Sequence, residues 1–227
     1  MIFTPAFLDI LTSFSKINLG MYFRKGTVQS TCGLSGNSKI MTFFMRAFTD
    51  TEVTDEFTVN DLSKLIAILK MFKTHELTVE GKNLVITGDG KKVNFALSMP
   101  EFITCPKNPD AVKVPDGYET ELTQTNISDI LGLYGTFNAQ NISFMGKDGK
   151  FEALVSSIEN PSSNEGIVEL GTTDKEFCGV IDATYFKLDK GKKETFKLIV
   201  KDKGLYIGNE HLEYFIPLEA KLSHFNS

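Results

Sequence analysis

Four stretches of the chain share one order of features. Each has a helix-capping residue, then an apolar stripe at helical spacing, then a hairpin closed by a glycine. The first begins at Thr4, with Pro5 in the first helical position, where its missing N–H costs nothing. Its stripe is Phe7, Ile10, Leu11, Phe14 and Ile17, and Met21 and Phe23 then alternate into a turn at Arg24-Lys25-Gly26. The second begins at Asn60, with stripe Leu62, Leu65, Ile66, Leu69 and Phe72, and its hairpin runs Leu77, Val79, Gly81, Leu84, Ile86. The third begins at Asn126, with stripe Ile127, Ile130, Leu131, Tyr134 and Phe137, and Ile142 and Phe144 lead to a turn at Lys147-Asp148-Gly149. The fourth begins at Asp182, with a shorter helix through Tyr185, Phe186 and Leu188, and Leu198 and Val200 lead to Gly204, Leu205 and Ile207. Cap and glycine are 22, 21, 23 and 22 residues apart, and the first pair of units repeats as the second pair with an offset of 122.

The halves are joined by residues 103–118, which hold Pro106, Pro109, Pro115 and Gly117. Three prolines so close together exclude a helix or a central strand and predict an extended surface connector. Between helices the chain reads as strand: Ile40, Thr42, Phe44; Val93, Phe95, Leu97; Phe151, Leu154, Val155; Tyr214, Ile216, Leu218. The fold class is therefore α+β, with helices on one face of antiparallel sheets. The expected division is an N-terminal domain at 1–106, a connector at 107–117 and a C-terminal domain at 118–227.

A hydrophobic share of 41% is enough to bury a core, and 23% charged with 11% aromatic residues excludes a disordered chain. No run of eighteen apolar residues exists, so no membrane span is expected. The apolar N-terminus lacks a basic leader and is interrupted by Asp9, so no signal peptide is expected. Cys32, Cys105 and Cys178 are far apart, without a CxxC or metal spacing, which points to a reducing cytosol and to buried thiols. His75, His211 and His224 show no HExxH, and no GxSxG accompanies them. Gly88-Asp89-Gly90-Lys91-Lys92 lacks phosphate-loop spacing and reads as a hairpin turn, and Glu119 and Glu121 beside the connector need no catalytic explanation. Catalytic residues, a metal and a cofactor are not expected.

Two tandem α+β halves, each internally duplicated, resemble the sliding-clamp family, and more specifically the clamps of T4-like bacteriophages. The string EHLEYFIPLEA carries the likeness through Glu210-His211, Tyr214, Ile216 and Leu218-Glu219-Ala220. Phe14, Ile17-Asn18, Gly20 and Lys25-Gly26 carry it after the first helix, and the overall length agrees. The resemblance implies the DNA-clamp fold, with antiparallel sheets outside and helices lining a ring, and a non-enzymatic role in the cytoplasm of an infected host cell. It also implies the partners: a homotrimer around double-stranded DNA, a replicative polymerase, an ATP-dependent clamp loader and late transcription factors.

Charge is segregated in a way that suits this role. Net charge is −5 overall. The expected helices (5–17, 60–73, 126–138, and 183–193 with its trailing turn) carry 0, +2, −1 and +3, leaving −9 for the rest. A basic helical layer in an acidic shell suits a ring around a polyanion. The candidate DNA-facing residues are Lys16, Lys64, Lys70, Lys73, Lys187, Lys190, Lys192 and Lys193. Lys16 and Lys64 lie opposite their stripes, and Lys70 lies nearer the flank. The third helix departs from the pattern, with Ser128, Asp129, Gly132 and Thr136 outward. With helices ~8–10 Å apart, four per subunit leave an opening of ~15 Å in a dimer and ~28 Å in a trimer, and only the second admits a duplex. Family members accept a short peptide near the interdomain connector, which here implies a groove of Phe102, Ile103, Val112, Val114, Pro217 and Leu218. The rival reading is a structural ring protein of a virion tail or baseplate.

Overall fold

Thr4 opens the first helix because its extended backbone (φ −67°, ψ 158°) turns the side-chain hydroxyl onto the Phe7 N–H, while Pro5 supplies a preset φ. Helix α1 (Pro5–Ser15) buries Phe7, Ile10, Leu11 and Phe14 on one face. The computed structural model describes residues 1–34, 41–106, 108–160, 162–188 and 194–225. Two units are distinguished, one of Met1–Val112 with Glu210–Leu212, the other of Lys113–Asn209 with Glu213–Ser227.

In the first unit the strands are β1 (Met21–Phe23), β2 (Gly26–Leu34), β3 (Met41–Val53) and β4 (Phe57–Val59). Strand β1 pairs with β4, Met21 opposite Val59, and β2 pairs with β3. The hairpin expected from Met21 through Gly26 is therefore not formed. Buried Gln29 closes the turn instead, accepting the Arg24 N–H at 3.1 Å and donating to the Arg24 and Gly26 carbonyls. The turn leads β2 away from β1, and Gly26 takes the left-handed conformation it requires (φ 100°). Helix α2 (Leu62–Leu69) follows, and Asp61 rather than Asn60 caps it, its carboxylate accepting the Lys64 N–H at 2.8 Å. Strands β5 (Glu76–Glu80), β6 (Asn83–Gly88) and β7 (Lys91–Ala96) make an antiparallel three-stranded sheet. Asp89-Gly90 turns between β6 and β7 with both residues at positive φ, as a two-residue hairpin needs. The core gathers Phe3, Phe7, Phe23 and Phe57, with Phe23 stacked on Phe57 at 4.4 Å. Helices α1 and α2 pack together, and α1 also packs on β3.

In the second unit β8 (Tyr118–Leu122) leads into helix α3 (Gln124–Phe137). Thr123, not Asn126, is its cap. Asn126 stands at the third helical position and bonds back to the Thr123 N–H, closing a capping box. Leu122 and Ile127, at the staple positions on either side, are both fully buried. Strands β9 (Asn141–Lys147), β10 (Lys150–Ser156), β11 (Gly166–Thr172) and β12 (Phe177–Asp182) follow. Beyond them lie β13 (Phe196–Lys201), β14 (Gly204–Gly208), β15 (Leu212–Pro217) and β16 (His224–Phe225). One sheet has the order β11-β10-β9-β12-β16, and β8, β13, β14 and β15 form a second antiparallel run. Helix α3 packs over β10 and β11.

The expected fourth helix is corrected by the structure. Asp182 accepts from Thr184, but only one 3-10 turn forms, Ala183–Tyr185. Phe186 and Leu188 are then buried with exposed Lys187 between them, an alternation of period two that a helix cannot satisfy. Among the described residues there are three α-helices, so the ring-size estimate from four helices per subunit overcounts. The connector also differs from a fully extended segment, because Pro109–Ala111 closes a single 3-10 turn, and Pro106 and Pro109 are buried.

Candidate functional site

Lys16, Lys64, Lys70 and Lys73 belong to the packed helical pair of the first unit. Burying Leu62, Leu65, Ile66 and Leu69 turns the opposite face of α2 outward, where Ser63, Lys64 and Ala67 are exposed. Lys16 and Lys70 are the C-cap residues of α1 and α2, and Lys73 lies just beyond α2; all three are exposed. A cation at a helix C-terminus opposes the partial negative charge of the last carbonyls, so these positions also favour the helix.

A further lysine joins them that periodicity did not reveal. Lys91 comes from the β6–β7 hairpin, donates its ammonium to the Met71 carbonyl at 3.1 Å and lies 5.7 Å from the Phe72 ring centre. The hairpin is held there by Asp89, whose carboxylate accepts the Lys73 N–H and the Thr74 hydroxyl. The Lys73 N–H bond is the main cause that holds the Asp89 carboxyl below its usual range. The end of α2 thus gathers Lys70, Lys73 and Lys91. Only pairing of β6 with β7 brings the third, so no local signal in the sequence could have found it.

In the second unit the pattern is different. Lys187 is exposed, but it follows the 3-10 turn and is not on a helix. Lys190, Lys192 and Lys193 lie outside the described residues. Helix α3 presents Thr125, Asp129, Gly132, Gly135 and Thr136, with open space around both glycines. Its outer face carries no basic side chain.

The residues expected to form a partner groove are placed as follows. Phe102 is 71% exposed and Val114 46%. Pro217 is exposed, and Ile103, Val112 and Leu218 are half-buried. Phe102, Ile103 and Val112 belong to the first unit, and Val114, Pro217 and Leu218 to the second. The first unit holds its part of the connector by three side chains to which sequence reading assigned no such role. Asn18 donates to the Thr104 carbonyl at 2.8 Å, Arg24 to that of Pro106 at 2.6 Å, and Arg46 to that of Pro109 at 2.9 Å.

Among the described residues, no set of three or more His, Cys, Asp or Glu is grouped to hold a metal ion, and no helix is long and apolar enough to cross a membrane. His75 accepts the Phe3 N–H through Nε2 at 3.3 Å, and burial pulls its pKa below the ordinary value. Burial pushes the Cys178 thiol up, and pushes that of Cys32 to about 11.

No family model matches the chain. A sliding clamp of Vibrio phage KVP40 is 25% identical over 228 residues, covering 94% of this chain and 96% of the relative. Among solved structures, A. fulgidus PCNA (bound to the C-terminal region of FEN-1) superposes with a TM-score of 0.67 at 12% identity, covering 97% of this chain and 95% of that one. The DNA polymerase III β subunit of Thermotoga maritima gives 0.68 at 13% identity over 97% of this chain, which spans only 63% of the bacterial subunit. Both structural likenesses extend over nearly all of the chain, which has three α-helices and sixteen strands among the described residues. The chain carries the DNA-clamp fold, and along nearly its full length it resembles the sliding clamps of phages.

Proposed function

We propose that this protein is a ring-shaped sliding clamp that encircles duplex DNA as a homotrimer and tethers a replicative DNA polymerase as its processivity factor. The observation that carries the reading is the combination of the clamp fold with a likeness to a phage sliding clamp over 94% of the chain. The lysines of the helical pair support it. A tether has to hold the phosphate backbone without reading bases, and exposed Lys64, Lys70 and Lys73 offer that kind of contact. The role needs no bond-making chemistry and no cofactor. Loading by an ATP-driven loader, late-transcription coactivation and residence in the host cytoplasm belong to the same proposal. The C-terminal region of FEN-1 bound to A. fulgidus PCNA is the precedent for a partner segment on a protein of this fold, and exposed Phe102 offers such a segment an apolar side chain.

The test is retention on DNA. Loader, ATP and nicked circular DNA are expected to trap the protein in a fast-eluting complex, and linearising the circle is expected to release it. Retention that survives linearisation would rule out topological tethering and return the virion-ring reading to favour. A Lys64→Glu, Lys187→Glu double variant is expected to load poorly while still forming trimers. An unchanged polymerase run length in that variant would refute the assignment of the DNA-facing lysines.

A further inference from the structure

Pro106 and Pro109 have no N–H to donate and a fixed φ, so neither can take a full place in a strand ladder. Both prolines are nevertheless buried, so their carbonyls must find donors inside the protein. Arg24, after β1, donates to the Pro106 carbonyl and Arg46, on β3, to that of Pro109, while Asn18, after α1, donates to the neighbouring Thr104 carbonyl. Each is itself held. Asn18 also donates to the Cys32 carbonyl and accepts the Gly20 N–H. Gln29 pins the backbone of Arg24, and the Arg24 guanidinium lies 4.9 Å from the Tyr22 ring centre. Arg46 is buried and lies 5.6 Å from the ring centre of Phe48. These are the only two arginines in the chain, and both point at the same strap. A guanidinium stays charged at any working pH, presents fixed donors and stacks on rings, which a lysine ammonium does not do equally well.

We propose that Arg24, Arg46 and Asn18 latch the connector onto the first unit, so that Phe102, Ile103 and Val112 are offered to an apolar partner segment from a preformed strap. A strap fixed in advance spares the partner the cost of ordering it. The partner half of this statement rests on the function proposed above; the latch does not.

Cys105 lies inside the strap, between two of the latched carbonyls, and is half-buried, whereas Cys32 and Cys178 are buried. Its alkylation by iodoacetamide in the full-length native protein therefore reads the latch directly. Arg24→Met and Arg46→Met are each expected to speed labelling of Cys105 about tenfold, the change that loss of one charge-assisted hydrogen bond makes in an opening equilibrium. Arg24→Lys is expected to fall between. Cys32 and Cys178 are expected to keep their wild-type rates, which reports that both units remain folded. An unchanged Cys105 rate would overturn the latch. Equal acceleration of all three thiols would also overturn it, by showing that the arginines hold the unit and not the strap. Phe102→Ala leaves the latch groups in place and tests the partner half separately: unchanged polymerase affinity there, with Cys105 still responding in the arginine variants, would refute the groove and uphold the latch.

Discussion

Protonating His75 would both place a charge in a half-buried site and remove the acceptor that Phe3 uses. Its folded pKa lies below the ordinary value, so the unfolded chain takes up the proton more readily. The resulting stability is complete above about pH 6.5 and is lost as pH falls through that value toward the folded pKa. Melting temperature is expected to fall between about pH 7.5 and about pH 5.5, and to fall less in His75→Asn, which cannot titrate. A full pH slope in that variant would assign the effect to other groups. Phe23 makes a second residue-scale case. It is fully buried and stacks on Phe57, so Phe23→Ala is expected to cost about 3–5 kcal/mol in denaturant unfolding.

The elements were legible wherever local chemistry decided them. The stripes of α1 and α2 and the hairpin turns at Gly81, Asp148-Gly149 and Asp89-Gly90 could be read because period and turn residues act within a few positions, while of the α3 stripe only Ile127 and Ile130 are buried and Leu131, Tyr134 and Phe137 are half-buried. The caps of α2 and α3 were displaced, since several neighbouring polar residues can cap and only the backbone angle selects one. Thr123→Ala is expected to cost about 1 kcal/mol of stability, and adding Asn126→Ala is expected to cost less than the two single changes together, because they share one capping box. A strictly additive double-mutant cycle would contradict that coupling. The fourth helix failed for a different reason. Phe186 and Leu188 extend a helical stripe on composition alone, but the core takes them up beyond the 3-10 turn, with the centre of the Phe186 ring 6.1 Å from that of Phe144.

On the scale of the whole molecule, charge is the property that bears on function. A ring that holds DNA by topology is expected to stay on a nicked circle at ~1 M salt, where phosphate interactions are screened away. Escape from linear DNA is expected to quicken over the same range. On linear DNA, Lys64→Gln is expected to lower the slope of log affinity against log salt by about 0.9 for each phosphate that the side chain had neutralised. A salt series on both substrates measures the two effects together. A circle that empties as fast as the linear form at high salt would leave electrostatics as the only tether.

The alternation of strands, the stripes of α1 and α2 and the tight turns could be read from the chain alone, because each depends on residue order over less than about thirty positions, whereas the repeat is legible only in part, since its first hairpin and its fourth helix do not form. The pairing of β1 with β4, the arrival of Lys91 at the end of α2, and the capture of the connector by Arg24 and Arg46 could not. In each of these, groups from 20 to 82 positions apart meet. A meeting of that kind is chosen by competition among all the surfaces the chain must bury at once, and only the folded structure records which one wins.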